Sequence, residues 1–393
     1  MLSFKLLTTS TVFLFLLSGC SDISSSVKYI GDDNDTQTIE EVDIQADNIS
    51  DEKYYKYMWH IDSANSRAKN ISQEMSATLN NEYNIAQVDA DADINILNAF
   101  KITKGKGVIV AVIDDGADIE HEDLKDNIYL TYNTDSDNSD VTNNSNYISY
   151  SSHGNTCAGF IVAPINGDGI VGTAPESKLI VIKQEDSDDI KTIRAFEYAK
   201  NNGAKVISCS WGTQNVSEAV IWELKSLYDS GITVLFASGN DGKNLDSYGL
   251  NDESEVEWVI GVGASGENND VTGYSNYGQN IELLAPGGDT YESVGLLGLD
   301  DMGTQGSVDN YGLVSNAYKF TNGTSFSTPI AAGVVALMYS VNPNITPAQV
   351  RDILISTADK IGLDANYNNS GFDEKRAYGK INAYKAVLSA KSY

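Results

Sequence analysis

From residue 108 onward the chain alternates two kinds of segment, and this alternation restricts its fold more than any other feature. Residues 108–113 form an unbroken apolar run rich in β-branched side chains, and 179–182, 206–207, 232–236 and 258–262 repeat the pattern. Between them lie helical spacings, first Ile190, Ile193, Ala195, Phe196 and Ala199, then Val216, Val220, Ile221, Leu224 and Leu227. A strand with no polar alternate has both faces buried, so the helices must cover both sides of the sheet. The expectation is an α/β fold with a mostly parallel central sheet and helices on both faces. Thr346-Pro347-Ala348-Gln349 reads as a capping box with proline at the first helical position. A last helix is expected near 383–390, with no repeats and no second domain after it.

One stretch, 320–337, stands apart. Gly323 and Thr324 make a small-residue turn, and from Ser325 the chain becomes apolar with Ala and Gly interspersed, which predicts a buried helix entered at Ser325 with Pro329 early in it. A hydroxyl at a helix N-terminus faces unpaired N–H groups and about half a positive charge, which suits a nucleophile. A serine that only caps the helix satisfies the same local pattern.

Charge narrows the choice of partners. With 55 Asp and Glu against 26 Lys and Arg, the net charge is -29, so the basic footprint that nucleic acid requires is missing. Lys5 followed by an apolar run through Leu17 is a secretory leader, too short for a stable span. It ends in Leu17-Ser18-Gly19-Cys20, which resembles a bacterial lipoprotein processing box. Residues 1–19 would then be the signal peptide and Cys20 would carry lipid, holding an exported protein on a membrane of the cell envelope. Ordinary cleavage nearby is the alternative. Residues 20–50 are rich in Ser, Asp, Asn and Glu, with Lys28 the only base, and read as a flexible acidic tether. The folded part is expected over 51–393, with its first large apolar cluster near Tyr54 and little room before it for a pro-domain. Cys157 and Cys209 lie in small-residue core motifs and read as buried free thiols, with a bridge between them as the alternative.

Three further positions carry chemistry. Asp114 ends the run 108–113, where parallel α/β sheets place functional groups, although an Asp in Asp114-Asp115-Gly116 also suits a plain turn. His153 lies in Ser152-His153-Gly154-Asn155-Thr156-Cys157, small residues that allow a helix to pack closely. The other two histidines are His60 and His121, and His121, followed by Glu122 and Asp123, reads as a surface residue. Asn240, after the run 232–236, is either a turn former or a side-chain donor to an oxyanion.

Taken together, Asp114, His153, Asn240 and Ser325 resemble the subtilisin family of serine proteases, in that family's order Asp, His, Ser. The resemblance runs from about Trp59 to the C-terminus. It is nearer the kexin-like branch, through Tyr57-Met58-Trp59-His60, Asp93-Ile94-Asn95, Cys157-Ala158-Gly159 and Ser208-Cys209-Ser210-Trp211-Gly212. Asn155 stands where the family has Thr, and Asn276 falls where kexin-like enzymes have the Glu of a second calcium site. The resemblance implies the subtilisin-like three-layer fold and acyl transfer. Asp114 would orient His153, His153 would take the proton of Ser325, and the Asn240 amide would hold the oxyanion.

It also implies that extended polypeptide substrate pairs with Ser210-Trp211-Gly212. Ala237-Ser238-Gly239 would form the opposite wall of the first specificity pocket, with Asp252 near its floor. Calcium is implied at Asp123 and Asn166 with the carbonyls of Asp168, Ile170 and Pro164, and with Asp51 as a further carboxylate; two exposed acidic loops are the plain alternative. The expected protein is a membrane-anchored, calcium-stabilised serine endopeptidase acting on polypeptides, with an external folding chaperone in place of a pro-domain. The competing class is a catalytically silent lipoprotein that binds peptides or scaffolds a complex on the same fold.

Overall fold

β-Branched runs with no polar alternate form the central layer. A computed structural model describes residues 49–64, 88–142, 153–247, 252–290, 295–302 and 314–393; the leader, Cys20 and the tether through residue 48 lie outside the described residues. The described residues fall within one unit, Asp47–Tyr393. In chain order its helices are α1 (Ile96–Phe100), α2 (His153–Val162), α3 (Asp189–Asn201), α4 (Glu218–Asp229), α5 (Thr324–Val341), α6 (Pro347–Thr357) and α7 (Ala383–Ser392). The main sheet holds β1 (Ile109–Asp114), β2 (Ile128–Asn133), β3 (Lys178–Lys183), β4 (Val206–Cys209), β5 (Thr233–Ala237), β6 (Ile260–Ser265) and β7 (Leu283–Pro286).

Every pair in this sheet is parallel, in the order β2-β3-β1-β4-β5-β6-β7. The chain passes from β1 to the edge strand β2, returns to β3 beside β1, then crosses to β4 and runs outward to β7, so the C-terminal end of β1 lies between the two halves of the sheet. Asp114 is the last residue of that strand.

Side chains alternate across each strand. Val110, Val112, Leu179 and Val181 enter one core with α2, α5, α6 and α7, while Ala111, Ile113, Ile180 and Ile182 enter the other with α3 and α4. This is the three-layer arrangement that the uninterrupted runs predict. Both Cys157 and Cys209 are buried and unpaired. Helix α5 is apolar enough by composition to cross a bilayer, but 83% of it is buried inside the unit.

The expected capping box is present: the Thr346 hydroxyl accepts from Gln349 N–H, and the Gln349 side chain accepts from Thr346 N–H. Strands β2 and β7 and the antiparallel pair β8 (Leu296–Leu299) and β9 (Tyr318–Thr321) are additions to the expectation. Three of them are four residues long, too short for a periodic signal, and β2 is a partly exposed edge strand.

Candidate functional site

Helix α5 begins at Thr324, one residue earlier than expected, so Pro329 is its sixth residue and lies inside the helix. A proline there has no N–H to give to the carbonyl four residues back, which is that of Ser325. That carbonyl instead accepts from Ser210 Oγ at 2.6 Å and from Cys157 Sγ at 3.5 Å. In return the Ser325 hydroxyl donates to the Ser210 carbonyl at 3.2 Å. Pro329 thus opens the helix at one point, and the freed carbonyl ties Ser325 to the segment after β4.

Opposite, α2 starts at His153, and His153 Nδ1 stands 2.7 Å from Asp114 Oδ1. The close approach of α2 to the end of β1 requires glycine at 154. A Cβ there would meet the Gly116 carbonyl, and would lie 2.9 Å from Asp114 Cβ and 3.0 Å from Asp115 Oδ1. The Asp115 carboxylate accepts from Gly154 N–H at 2.8 Å, so the acidic doublet serves both the imidazole and the helix beneath it. Burial, with the like charge of Asp114, pushes Asp115 up to about 7. Burial opposes the charged form of His153, but the Asp114 carboxylate outweighs it and holds the imidazole well above its usual value. Burial likewise raises the Cys157 thiol, 3.9 Å from His153 Nδ1, so it stays protonated.

Asn240 follows β5. Its Oδ1 accepts from Thr324 N–H at 2.9 Å and from Thr324 Oγ1 at 3.0 Å, which leaves the amide N–H groups to donate elsewhere. Asn240 and Ser325 lie at one cavity of about 250 Å³, walled by Ser210, Trp211 and Gly212 on one side and Ala237, Ser238 and Gly239 on the other. Asp252, Glu255, Asp241 and Lys243 also line it. Asp252 is already engaged: Oδ1 accepts from Ser254 N–H and Oγ, and Oδ2 from Gln214 N–H at 3.2 Å. Glu253 holds Thr213 through its N–H at 2.9 Å and its hydroxyl at 2.8 Å. The acidic turn therefore fixes the continuation of the 210–212 wall as well as charging the cavity.

A second polar cluster gathers at Asp123, which is fully buried. Its Oδ2 accepts from Ile170 N–H at 2.9 Å and from the Tyr318 hydroxyl at 3.0 Å, while Oδ1 has no partner among the described residues. Glu52 Oε1 accepts from Gly167 N–H at 2.8 Å, and Glu52 Oε2 is buried without a partner among the described residues. Burial pushes Asp123 up to about 8, with Glu52 adding to the shift, and burial also raises Glu52, with Asp168 and Asp51 adding to it. Two orphaned carboxylate oxygens in the fold of an oxygen-rich loop fit a hard divalent cation.

The structure brings Asp114, His153, Ser325, Asn240 and both cavity walls together. It corrects two expectations. His121 is buried, not at the surface: its Nδ1 accepts from Asp123 N–H at 3.0 Å and its Nε2 lies 3.1 Å from the Ala317 carbonyl. The added carboxylate beside Asp123 is Glu52, because the turn Ile49–Asp51 leaves Asp51 exposed and carries Glu52 inward. The side chains of Asn166 and Asp168 are exposed; Asn166 Oδ1 accepts from Asp168 N–H at 2.9 Å, which shapes the loop. Asn155 bridges Asp118 N–H and the Asp300 carbonyl, a task that needs an amide's donor and acceptor together. Sequence reasoning missed the Asp115 cap, for which the Asp-Asp doublet was the available cue, and Glu52, for which there was none beyond its acidity.

Comparison with known proteins agrees with this geometry. The model of the subtilase family, peptidase S8, matches residues 105–379. A calcium-dependent protease of Trichormus variabilis is 34% identical over 339 residues, covering 76% of this chain and 48% of its own length. The chain thus spans about half the length of that relative. Subtilisin DY of Bacillus licheniformis is 32% identical over 279 residues, covering 68% of this chain and 89% of the relative. Among solved structures, a protease of Pseudoalteromonas arctica aligns with a TM-score of 0.64 at 26% identity, over 76% of this chain and 94% of that one. The chain belongs to the subtilase family.

Proposed function

We propose that the protein is a serine endopeptidase that cleaves polypeptides by acyl transfer through Asp114, His153 and Ser325. The supporting observation is the 2.7 Å pair of His153 and Asp114 beside the first turn of α5, with Cys157 Sγ 3.9 Å from His153 Nδ1 and 3.5 Å from the Ser325 carbonyl. Rotation of the Ser325 hydroxyl from the Ser210 carbonyl to the imidazole would place it for attack; such bonds often form only once substrate is bound. The imidazole then takes the proton and returns it to the leaving amine, and the Asn240 amide and Ser325 N–H hold the oxyanion. The base must be neutral, so its raised pKa favours neutral to alkaline operation. A fluorophosphonate probe tests this reading: labelling at Ser325 is expected, and an unlabelled folded protein would favour the silent peptide-binding alternative.

The cavity carries three carboxylates, Asp241, Asp252 and Glu255, against Lys243, which pairs with Asp241 at 3.6 Å. This excess supports a preference for a basic residue before the scissile bond and a place nearer the kexin-like branch. The expected ratio of kcat/KM for Arg over Leu in matched peptides is at least about tenfold, near 1.4 kcal/mol; a smaller ratio would leave a pocket of broad apolar preference.

Calcium fits the second cluster, where Asp123 and Glu52 would hold it together with the loop from Asn166 to Ile170; a bound cation there would supply stability. Export and a lipid on Cys20 complete the reading, with an outside chaperone aiding folding. Cys20→Ser should release the protein from membranes, and retention in high salt after normal leader cleavage would count against the anchor.

A further inference from the structure

The segment 238–243 carries Asn240 at its centre and passes through two left-handed glycines, Gly239 at φ +94° and Gly242 at φ +64°. Local sequence does not stiffen such a path, since glycine holds these angles at an entropic cost. Its restraint comes from Asn276, 4% exposed, in the turn before β7. Asn276 Nδ2 donates to the Ser238 carbonyl at 2.9 Å, and Oδ1 accepts from Asp241 N–H at 3.1 Å and Lys243 N–H at 2.9 Å. Its backbone adds two more bonds, from N–H to the Gly239 carbonyl at 3.0 Å and from Ser238 Oγ to its own carbonyl at 3.1 Å. These contacts bracket Asn240 on both sides. The fit is close enough that a Cβ on Gly239 would stand 2.5 Å from Asn276 Nδ2.

We propose that Asn276 is a positioning residue for the Asn240 amide: it fixes the loop from which that amide reaches the oxyanion. The inference rests on the reading of Asn240 as an oxyanion donor. The pattern calls for one side chain with a donor toward Ser238 and an acceptor toward two N–H groups, which a primary amide supplies. An aspartate there would lack the donor, and a serine would be too short to span both. Asn240 is then held from two directions, by Thr324 through its own Oδ1 and by Asn276 through the backbone on either side of it. A donor displaced by about 1 Å loses much of its effect on a developing charge, on the order of 10²-fold in rate. It loses little in ground-state binding.

A double-mutant cycle tests this, with kcat measured per active site titrated by fluorophosphonate and folding checked by melting. Asn240→Leu is expected to lower kcat by about 10²- to 10³-fold. Asn276→Ala is expected to lower kcat by about 10- to 100-fold with KM changed less than about threefold. The double variant should be no slower than Asn240→Leu within about twofold, because Asn276 acts through a group already removed. Losses that multiply, or an Asn276→Ala effect confined to KM, would overturn the inference. An Asn240→Leu enzyme with full kcat would instead overturn the oxyanion reading on which it rests. Asn276→Ser, which keeps a small polar group in place, carries the same cycle should the alanine variant fail to fold.

Discussion

The cluster at Ser325 and the cluster at Asp123 are both built from buried oxygen and nitrogen, but they are balanced in different ways. Around Ser325 the protein supplies most of the partners itself: Asp114 Oδ1 has His153, the Ser325 carbonyl has Ser210, and the Asn240 oxygen has Thr324, so that of these groups only the second oxygen of Asp114 is left without one among the described residues. Around Asp123 two carboxylates share a buried site, and each keeps an oxygen without a partner among the described residues. Burial alone would make both acids costly to ionise. The contrast separates two kinds of task. The first cluster is expected to tolerate the loss of one atom with little consequence for folding, whereas the second, with the cation proposed for it, would draw stability from that ion.

The largest effect that sharpens this contrast is at the nucleophile. Ser325→Ala removes one hydroxyl whose single bond, to the Ser210 carbonyl, is 3.2 Å long. The expected outcome is a fall in kcat of about 10⁶-fold with the melting temperature unmoved beyond about 0.5 kcal/mol of stability. A large loss of stability in this variant would break the comparison, since it would show that the rate cluster also holds the fold.

The second cluster should behave in the opposite way. A cation bound only to the folded state adds stability of about 2.7 kcal/mol at a hundredfold excess over its dissociation constant. Chelation should lower the melting temperature accordingly, and Asp123→Ala should abolish the difference between calcium and chelator. The rate measured well below the transition should stay near that of the parent. Differential scanning in calcium and in chelator reads the first outcome. An undiminished chelator effect in Asp123→Ala would place the cation elsewhere.

Much of this was legible in the sequence, for reasons that differ between the clusters. Asp114 and Asn240 follow apolar strand runs, His153 lies among small residues and Ser325 opens an apolar helix, so each carried a local cue, whereas the order of the strands did not. The consequence of Pro329 was hidden, because the freed Ser325 carbonyl finds its partners, Ser210 Oγ and Cys157 Sγ, on distant segments of the chain. The stability cluster depends on a turn at Ile49–Asp51 with no periodic signal, and the inward residue proved to be Glu52. His121 misled for a related reason. Its acidic neighbours suggest solvent, but Glu122 and Asp123 turn toward Tyr318, with bonds of 3.0 Å each, and draw the imidazole inside. Asn276 was visible as a departure from a family pattern, while its part in holding 238–243 appears only when β5 and the turn before β7 lie side by side.

One buried group belongs to neither cluster and tests whether unpaired polarity in this protein always signals a ligand. His60 is fully buried, edge to face with Phe160 at 5.6 Å, and both ring nitrogens lack partners among the described residues. Phe160 in turn packs on Phe326, beside the nucleophile. With no carboxylate to favour the imidazolium, burial lowers the pKa of His60 from 6.5 to about 3. Between these two values the unfolded chain holds a proton that the folded chain does not, so this residue's contribution to stability is full above pH 6.5 and is lost as the pH falls toward 3. The slope from one such group is at most about 1.4 kcal/mol per pH unit. Buried acids such as Glu267 and Glu282, each raised to about 7 by burial, act in the opposite sense over part of the same range. The total pH profile therefore mixes both, and the difference between parent and variant isolates the histidine. His60→Phe keeps an aromatic ring against Phe160 and removes the titration. Urea denaturation at pH 7, 6 and 5 should show the parent losing stability relative to this variant as the pH falls, at constant calcium. Parallel profiles would mean that His60 finds a proton acceptor in the folded state, and that its unpaired nitrogens, like the unpaired oxygens of Asp123 and Glu52 in the calcium reading, mark a place for a partner.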